Sequence, residues 1–163
     1  MNARGGWALI KSMWLAWIQH RGFFFVLAFG WMIPPLIYLL VWSTAAGDQA
    51  IGGLTRGGFV AYYLVLILVN QLTYSQTNWT VGDLIRYGEM NRLLMRPLPP
   101  LFNALSTEVA GKVVYLLFDV PIVLVLALIL RPELELTLLT ALVFIPALLL
   151  AWLLRFLWGY WLA

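Results

Sequence analysis

Few residues in this 163-residue chain could do chemistry, and they fall in two groups. Lys112, Tyr115 and Asp119 recur at intervals of three and four, so a helix places them on one face. Asn70, Tyr74 and Asn78 recur every four residues, and the same holds for them. A buried carboxylate is costly in hydrocarbon unless paired or hydrated. Asp119 is therefore the foremost intramembrane functional candidate, with Lys112 two turns away as its nearest partner in sequence. Two readings of Asp119 fit, a structural ion pair and a functional carboxylate. The Asn70, Tyr74 and Asn78 face also has two readings, hydrogen bonding between helices and part of a substrate path.

Other chemistries lack their residues. The lone histidine, His20, stands beside Arg21 and reads as a solvated headgroup-level side chain; one imidazole cannot build a multi-histidine metal site. Without cysteine there is no disulfide framework and no thiolate metal site. The patterns HExxH, GxSxG and GxxxxGK[ST] do not occur, and neither Gly5-Gly6 nor Gly52-Gly53 leads into Gly-Lys. Asp119 has no second carboxylate at a spacing that would form an acid pair on its helix. Movement of anything against a gradient must draw its energy from another chain or from an ion. No basic block suggests nucleic acid, and no metal or cofactor site is expected in this chain.

The elements that position these residues lie in lipid. The chain is 63% hydrophobic and 10% charged, against roughly 25% charged for a soluble domain. Uncharged runs approach the ~20 residues that span a bilayer as helix. Nine Trp and seven Tyr suit the membrane interface. The expected fold is an all-α polytopic transmembrane bundle forming one domain.

Within residues 1–21, Trp7, Ile10, Trp14, Trp17 and Ile18 mark one stripe of a helix lying in the headgroup plane. Lys11 interrupts any signal-peptide core, and no small-x-small cleavage site follows. Span one is placed at 22–42, with Pro34 and Pro35 expected to kink it. A glycine-rich loop follows at 43–58, then span two at 59–79, span three at 101–130 and span four at 138–154. Ser106-Thr107-Glu108 has the composition of a helix start, Pro121 should distort span three, and residues 131–137 form a tight turn. Arg155 is read as the end of span four, and 156–163 as the beginning of a further span, as though the sequence were interrupted there.

The longest stretch that does not read as lipid-embedded is 80–100. Val81, Leu84 and Ile85 fall at helical spacing, Gly88 is a helix stop, and Leu93 and Leu94 form a second apolar patch before Pro97. It reads as an ordered, amphipathic docking element. With the N-terminus inside, Arg4, Lys11, Arg21, Arg86, Arg92, Arg96, Lys112 and Arg155 are cytosolic and only Arg56 and Arg131 are outside. The positive-inside rule selects that topology.

The run Tyr74-Ser-Gln-Thr-Asn-Trp79, followed by Ile85-Arg-Tyr-Gly88-Glu-Met-Asn-Arg-Leu-Leu94-Met-Arg-Pro97-Leu-Pro, resembles the permease subunits of type-2 (ABC-2) ABC transporters. The resemblance covers nearly the whole chain, although such permeases usually have six spans and about four are present here. It implies a bacterial cytoplasmic-membrane exporter subunit, paired with a second permease subunit and an ABC ATP-binding subunit that carries the ATP and Mg. It also implies that Val81 to Met95 is the coupling element, with Val81, Asp83, Leu84, Ile85, Arg86, Glu89, Arg92, Leu93 and Leu94 as coupling residues. In that picture the N-terminal helix rests near the ATPase. An ion-coupled carrier with Asp119 as proton site, a membrane-embedded enzyme and a non-catalytic scaffold subunit are the competing classes.

Overall fold

The computed structural model describes residues 3–19, 21–47, 49–134 and 137–163. His20, Asp48 and Glu135 lie outside the described residues. Seven helical segments follow in order: α1 (Ala3–Gln19), α2 (Arg21–Ala46), α3 (Arg56–Thr73), α4 (Thr77–Arg86), the short α5 (Met90–Leu94), α6 (Pro100–Leu130) and α7 (Leu138–Leu162). Four stretches are long and apolar enough to cross a membrane: Phe29–Ala46, Arg56–Arg86, Pro100–Leu130 and Leu138–Leu162. The architecture is a polytopic helical bundle.

The core follows from helical periodicity. Met32 and Leu39 of α2, Val60, Leu64 and Ile67 of α3, and Val123 of α6 form one buried cluster. Their spacings of three, four and seven put them on single faces. A smaller cluster joins Val81 of α4, Ala104 of α6 and Phe156 of α7. The rest of the apolar surface faces outward, as on Leu138, Leu142, Leu150 and Trp161 of α7. Lipid, not water, is the solvent this surface fits.

Helix α1 packs most extensively on α6. Of its stripe, Ile10, Trp14 and Ile18 are half-buried while Trp7 is exposed; Lys11 and Gln19 face away.

Several boundaries differ from the sequence reading. Span one continues to Ala46 because Thr44 Oγ1 donates to the Leu40 carbonyl (2.6 Å) and Ser43 Oγ to the same oxygen (3.4 Å). Hydroxyls satisfied within the helix need no loop. The third span starts at Pro100, one residue from the expected start, and Ser106-Thr107-Glu108 lies inside it rather than at its beginning. Proline in the first turn suits a helix start, since its missing N–H would be unpaired there anyway. Ser106 and Thr107 instead donate back to the Phe102 and Asn103 carbonyls. Helix α7 runs unbroken through Arg155 to Leu162, so 156–163 continues the fourth span and does not begin another. Pro34, Pro35 and Pro121 all lie inside continuous helices.

The two inter-span loops meet at one end of the bundle. Gly52 and Gly53 take positive φ (60° and 84°) between the paired Ile51 and Leu54, a backbone only glycine adopts without cost. Thr55 then caps α3 by accepting from Gly58 N–H at 3.0 Å. Its hydroxyl donates to Glu133, whose own N–H donates to the Gly57 carbonyl at 3.2 Å. The loops after α2 and α6 therefore share a side, as antiparallel spans require.

At the other end α7 approaches α4 closely. A Cβ on Gly159 would sit 3.3 Å from Asn78 N and 3.4 Å from Thr77 Cβ. Gly159→Leu should therefore force the helices apart and destabilise the detergent-solubilised protein by about 1–3 kcal/mol. A lowered thermal unfolding midpoint checks this; an unchanged midpoint contradicts the close packing.

Candidate functional site

The second span is not one helix. It stops at Thr73 and restarts at Thr77, with Tyr74 extended (φ −61°, ψ 138°). Such a break exposes carbonyls at the first helix end and N–H groups at the second. The local sequence Tyr74-Ser-Gln-Thr offers hydroxyls and amides but no ion to complement those ends. The ions come from α6.

Glu108 Oε1 accepts three hydrogen bonds from the break: from Gln76 N–H at 2.7 Å, Ser75 Oγ at 2.9 Å and Thr77 Oγ1 at 2.9 Å. Thr77 is completely buried. One turn further along α6, Lys112 Nζ donates to the Tyr74 carbonyl at 2.5 Å. It also lies 5.7 Å from the Trp152 ring centroid. From α7, Arg155 donates to Thr73 Oγ1 at 3.2 Å, and that hydroxyl donates to the Val69 carbonyl. The signs are favourable: a carboxylate at a helix N-terminus, cations at a helix C-terminus.

This arrangement corrects the pairing expected for Lys112. The lysine serves the Tyr74 carbonyl and leaves Asp119 to a different surrounding. Asp119 is completely buried, and neither carboxylate oxygen has a hydrogen-bond partner. It lines a cavity of about 240 Å³ with Asn70, Tyr74, Trp31 and Arg155 among the other walls. Asn70 and Tyr74 thus meet Asp119 as one site. Asn78 does not line that cavity, because the break puts it on α4, where it lines a neighbouring recess that shares Tyr74 and Arg155 with the first.

Sequence reasoning missed Glu108 as an anchor. The available signal was an acid and a base four residues apart in an otherwise apolar segment, matched by the polar run Tyr74 to Asn78 elsewhere.

The 80–100 stretch is ordered, as expected. Helix α4 ends at Arg86, and Gly88 takes φ 73° beyond it, the left-handed conformation of a glycine helix stop. Its residues divide by exposure. Val81 and Leu93 are buried against the bundle and Leu84 is half-buried, so Val81 and Leu93 cannot form an outward contact. Ile85 and Leu94 are exposed (51% and 63%), joined by Tyr87 and Met95, two apolar side chains the sequence reading had not assigned to the contact. Asp83 and Arg86 are exposed as well. Glu89 and Arg92 pair with each other at 3.1 Å. Met13 of α1 shares a groove of about 420 Å³ with Asp83, Leu84, Arg92 and Arg96, which brings the N-terminal helix beside this element.

Compared with known protein families, residues 30–163 match the one described as "ABC-2 family transporter protein". No curated protein and no solved structure matches the chain.

Removing the Glu108 carboxylate orphans the Gln76 N–H and leaves the Ser75 and Thr77 hydroxyls, 2.7 Å apart, only each other. Glu108→Ala should cost about 1–3 kcal/mol of stability, and Glu108→Gln less. A double-mutant cycle of Glu108→Gln with Lys112→Met should show a coupling of about 0.5–3 kcal/mol in denaturation, because both side chains brace one break. Simple additivity would mean that they act independently.

Proposed function

The chain belongs to the ABC-2 family of transporter proteins, and from that premise we propose that it is the permease subunit of an ATP-driven exporter. As a member of that family it is a multi-pass membrane protein and a permease component partnered with an ABC ATP-binding subunit. The finer reading has the N-terminus in the cytosol of a bacterial cell and α4–α5 seated on the ATP-binding subunit. ATP and Mg are bound by that partner, and a second permease subunit completes the path.

The observation that carries this reading is the outward face of α4–α5. Ile85, Tyr87, Leu94 and Met95 present exposed apolar surface on an ordered element rich in charge. An apolar centre rimmed by Asp83, Arg86, Glu89 and Arg92 suits a protein partner, with contact area in the middle and charges setting register at the edge. Val81 and Leu93 act behind that face by fixing the element to the bundle. Motion imposed on α4 passes to α6 through Glu108 and to α7 through the Gly159 contact. The spans then move as rigid bodies and open a path between two permease subunits.

Burial of Asp119 favours one alternative, an ion-coupled carrier with that carboxylate as its proton site. Such a carrier would run on an ion gradient without any ATP-binding chain.

Two measurements test the proposal. Ile85→Asp should weaken co-purification with the ATP-binding subunit roughly thirtyfold, the effect of losing about 2 kcal/mol at a contact centre, and abolish ATPase stimulation. Survival of both would refute the docking face. Since the chain has no cysteine, a single cysteine at Glu89 should resist an impermeant thiol reagent in intact cells while one at Gln49 reacts. The opposite pattern would invert the topology.

A further inference from the structure

We infer that the cavity around Asp119 is a binding site for the ammonium group of an amphiphilic amine. Asp119 is completely buried on α6, and both of its oxygens lack a hydrogen-bond partner. Neither neighbouring cation bonds it: Lys112 donates to the Tyr74 carbonyl, and Arg155, which lines the same cavity, donates to Thr73. Among the described residues the salt bridge is Glu89–Arg92, far along the chain from this site. A carboxylate so placed must carry a proton or meet a cation that enters from outside, because an unpaired buried charge is expensive.

The cavity has the shape and chemistry for such a cation. Its volume of about 240 Å³ equals roughly eight waters at ~30 Å³ each. The Trp31 and Tyr74 rings form one wall, with centroids 5.0 Å apart and planes tilted by 44°. Aromatic faces beside a carboxylate are a recurring receptor for ammonium groups. Asn70 and Gln71 add amide oxygens that can accept from N–H, while Met32 and Ile67 offer apolar wall to a hydrocarbon tail. If Asp119 holds a proton in the empty cavity, the arriving ammonium takes its place and the proton leaves to water, so net charge in the site is conserved. This inference deepens the reading of the bundle as a substrate path, but it concerns binding alone and can fail or hold independently of ATPase docking.

The test uses the full chain in phosphatidylcholine nanodiscs, with radiolabelled dodecylamine as probe and dodecanol as its uncharged counterpart. Saturable binding of the amine, not displaced by excess dodecanol, is expected. Asp119→Asn should weaken it at least tenfold, and Trp31→Leu severalfold. Equal displacement by dodecanol in the wild-type protein would overturn the proposal whether or not either variant folds, as would undiminished binding by Asp119→Asn. Nanodiscs containing phosphatidylethanolamine separate the two sources of ammonium. Competition by that lipid identifies a headgroup as the occupant, and its absence identifies a free amine.

Discussion

Glu108 and Lys112 stand one turn apart on α6 and grip opposite sides of the gap between α3 and α4. A helix broken near lipid cannot leave its end groups to water, so the protein must supply both an acceptor and a donor. One i, i+4 pair does so with the right sign at each end. The carboxylate complements N–H groups and the ammonium complements a carbonyl. Much of the remaining architecture depends on this fixture. It redirects the chain out of the second span, sets where α4 begins and ties the charged element to the longest helix of the bundle.

The break also separates polar side chains that a continuous helix would have put on one face. Above it, Asn70 and Tyr74 remain with Asp119 around an internal cavity. Below it, Asn78 and the α4–α5 segment belong to a different surface. Arg155 spans both regions, bonded to the last residue of α3 and lining each recess. Close approach of α7 at Gly159 completes the joint from the other side. Load applied to α4 therefore meets packed and charged contacts on α6 and α7 before it reaches the cavity.

The contrast between Asp119 and Glu108 shows how differently two carboxylates on one helix can be used. Eleven residues separate them. Glu108 has three donors from protein and is structural. Asp119 has none and lies buried at the wall of a cavity. Sequence spacing suggested that Lys112 belonged to Asp119, since a period of three and four puts them on one face. The lysine is claimed by a carbonyl from another helix, and nothing in the α6 sequence alone could reveal that.

Composition and periodicity by themselves determined the solvent, the rough positions of four spans and the ordered charged stretch between the second and third. These properties depend on which residue types recur within a few turns, and that information is local. The glycine stop at Gly88 was legible for the same reason, since its conformation is a property of one residue. Helix ends at Ala46 and Leu162 were missed where hydroxyl back-bonding or a tertiary contact outweighed local composition. Only the tertiary structure decided which residues of the 80–100 stretch face inward, that Asn78 parts from Asn70 and Asp119, and that Asp119 is left without a hydrogen-bond partner. Each of those outcomes depends on groups brought together from separate helices, a pairing that no single segment of the sequence encodes.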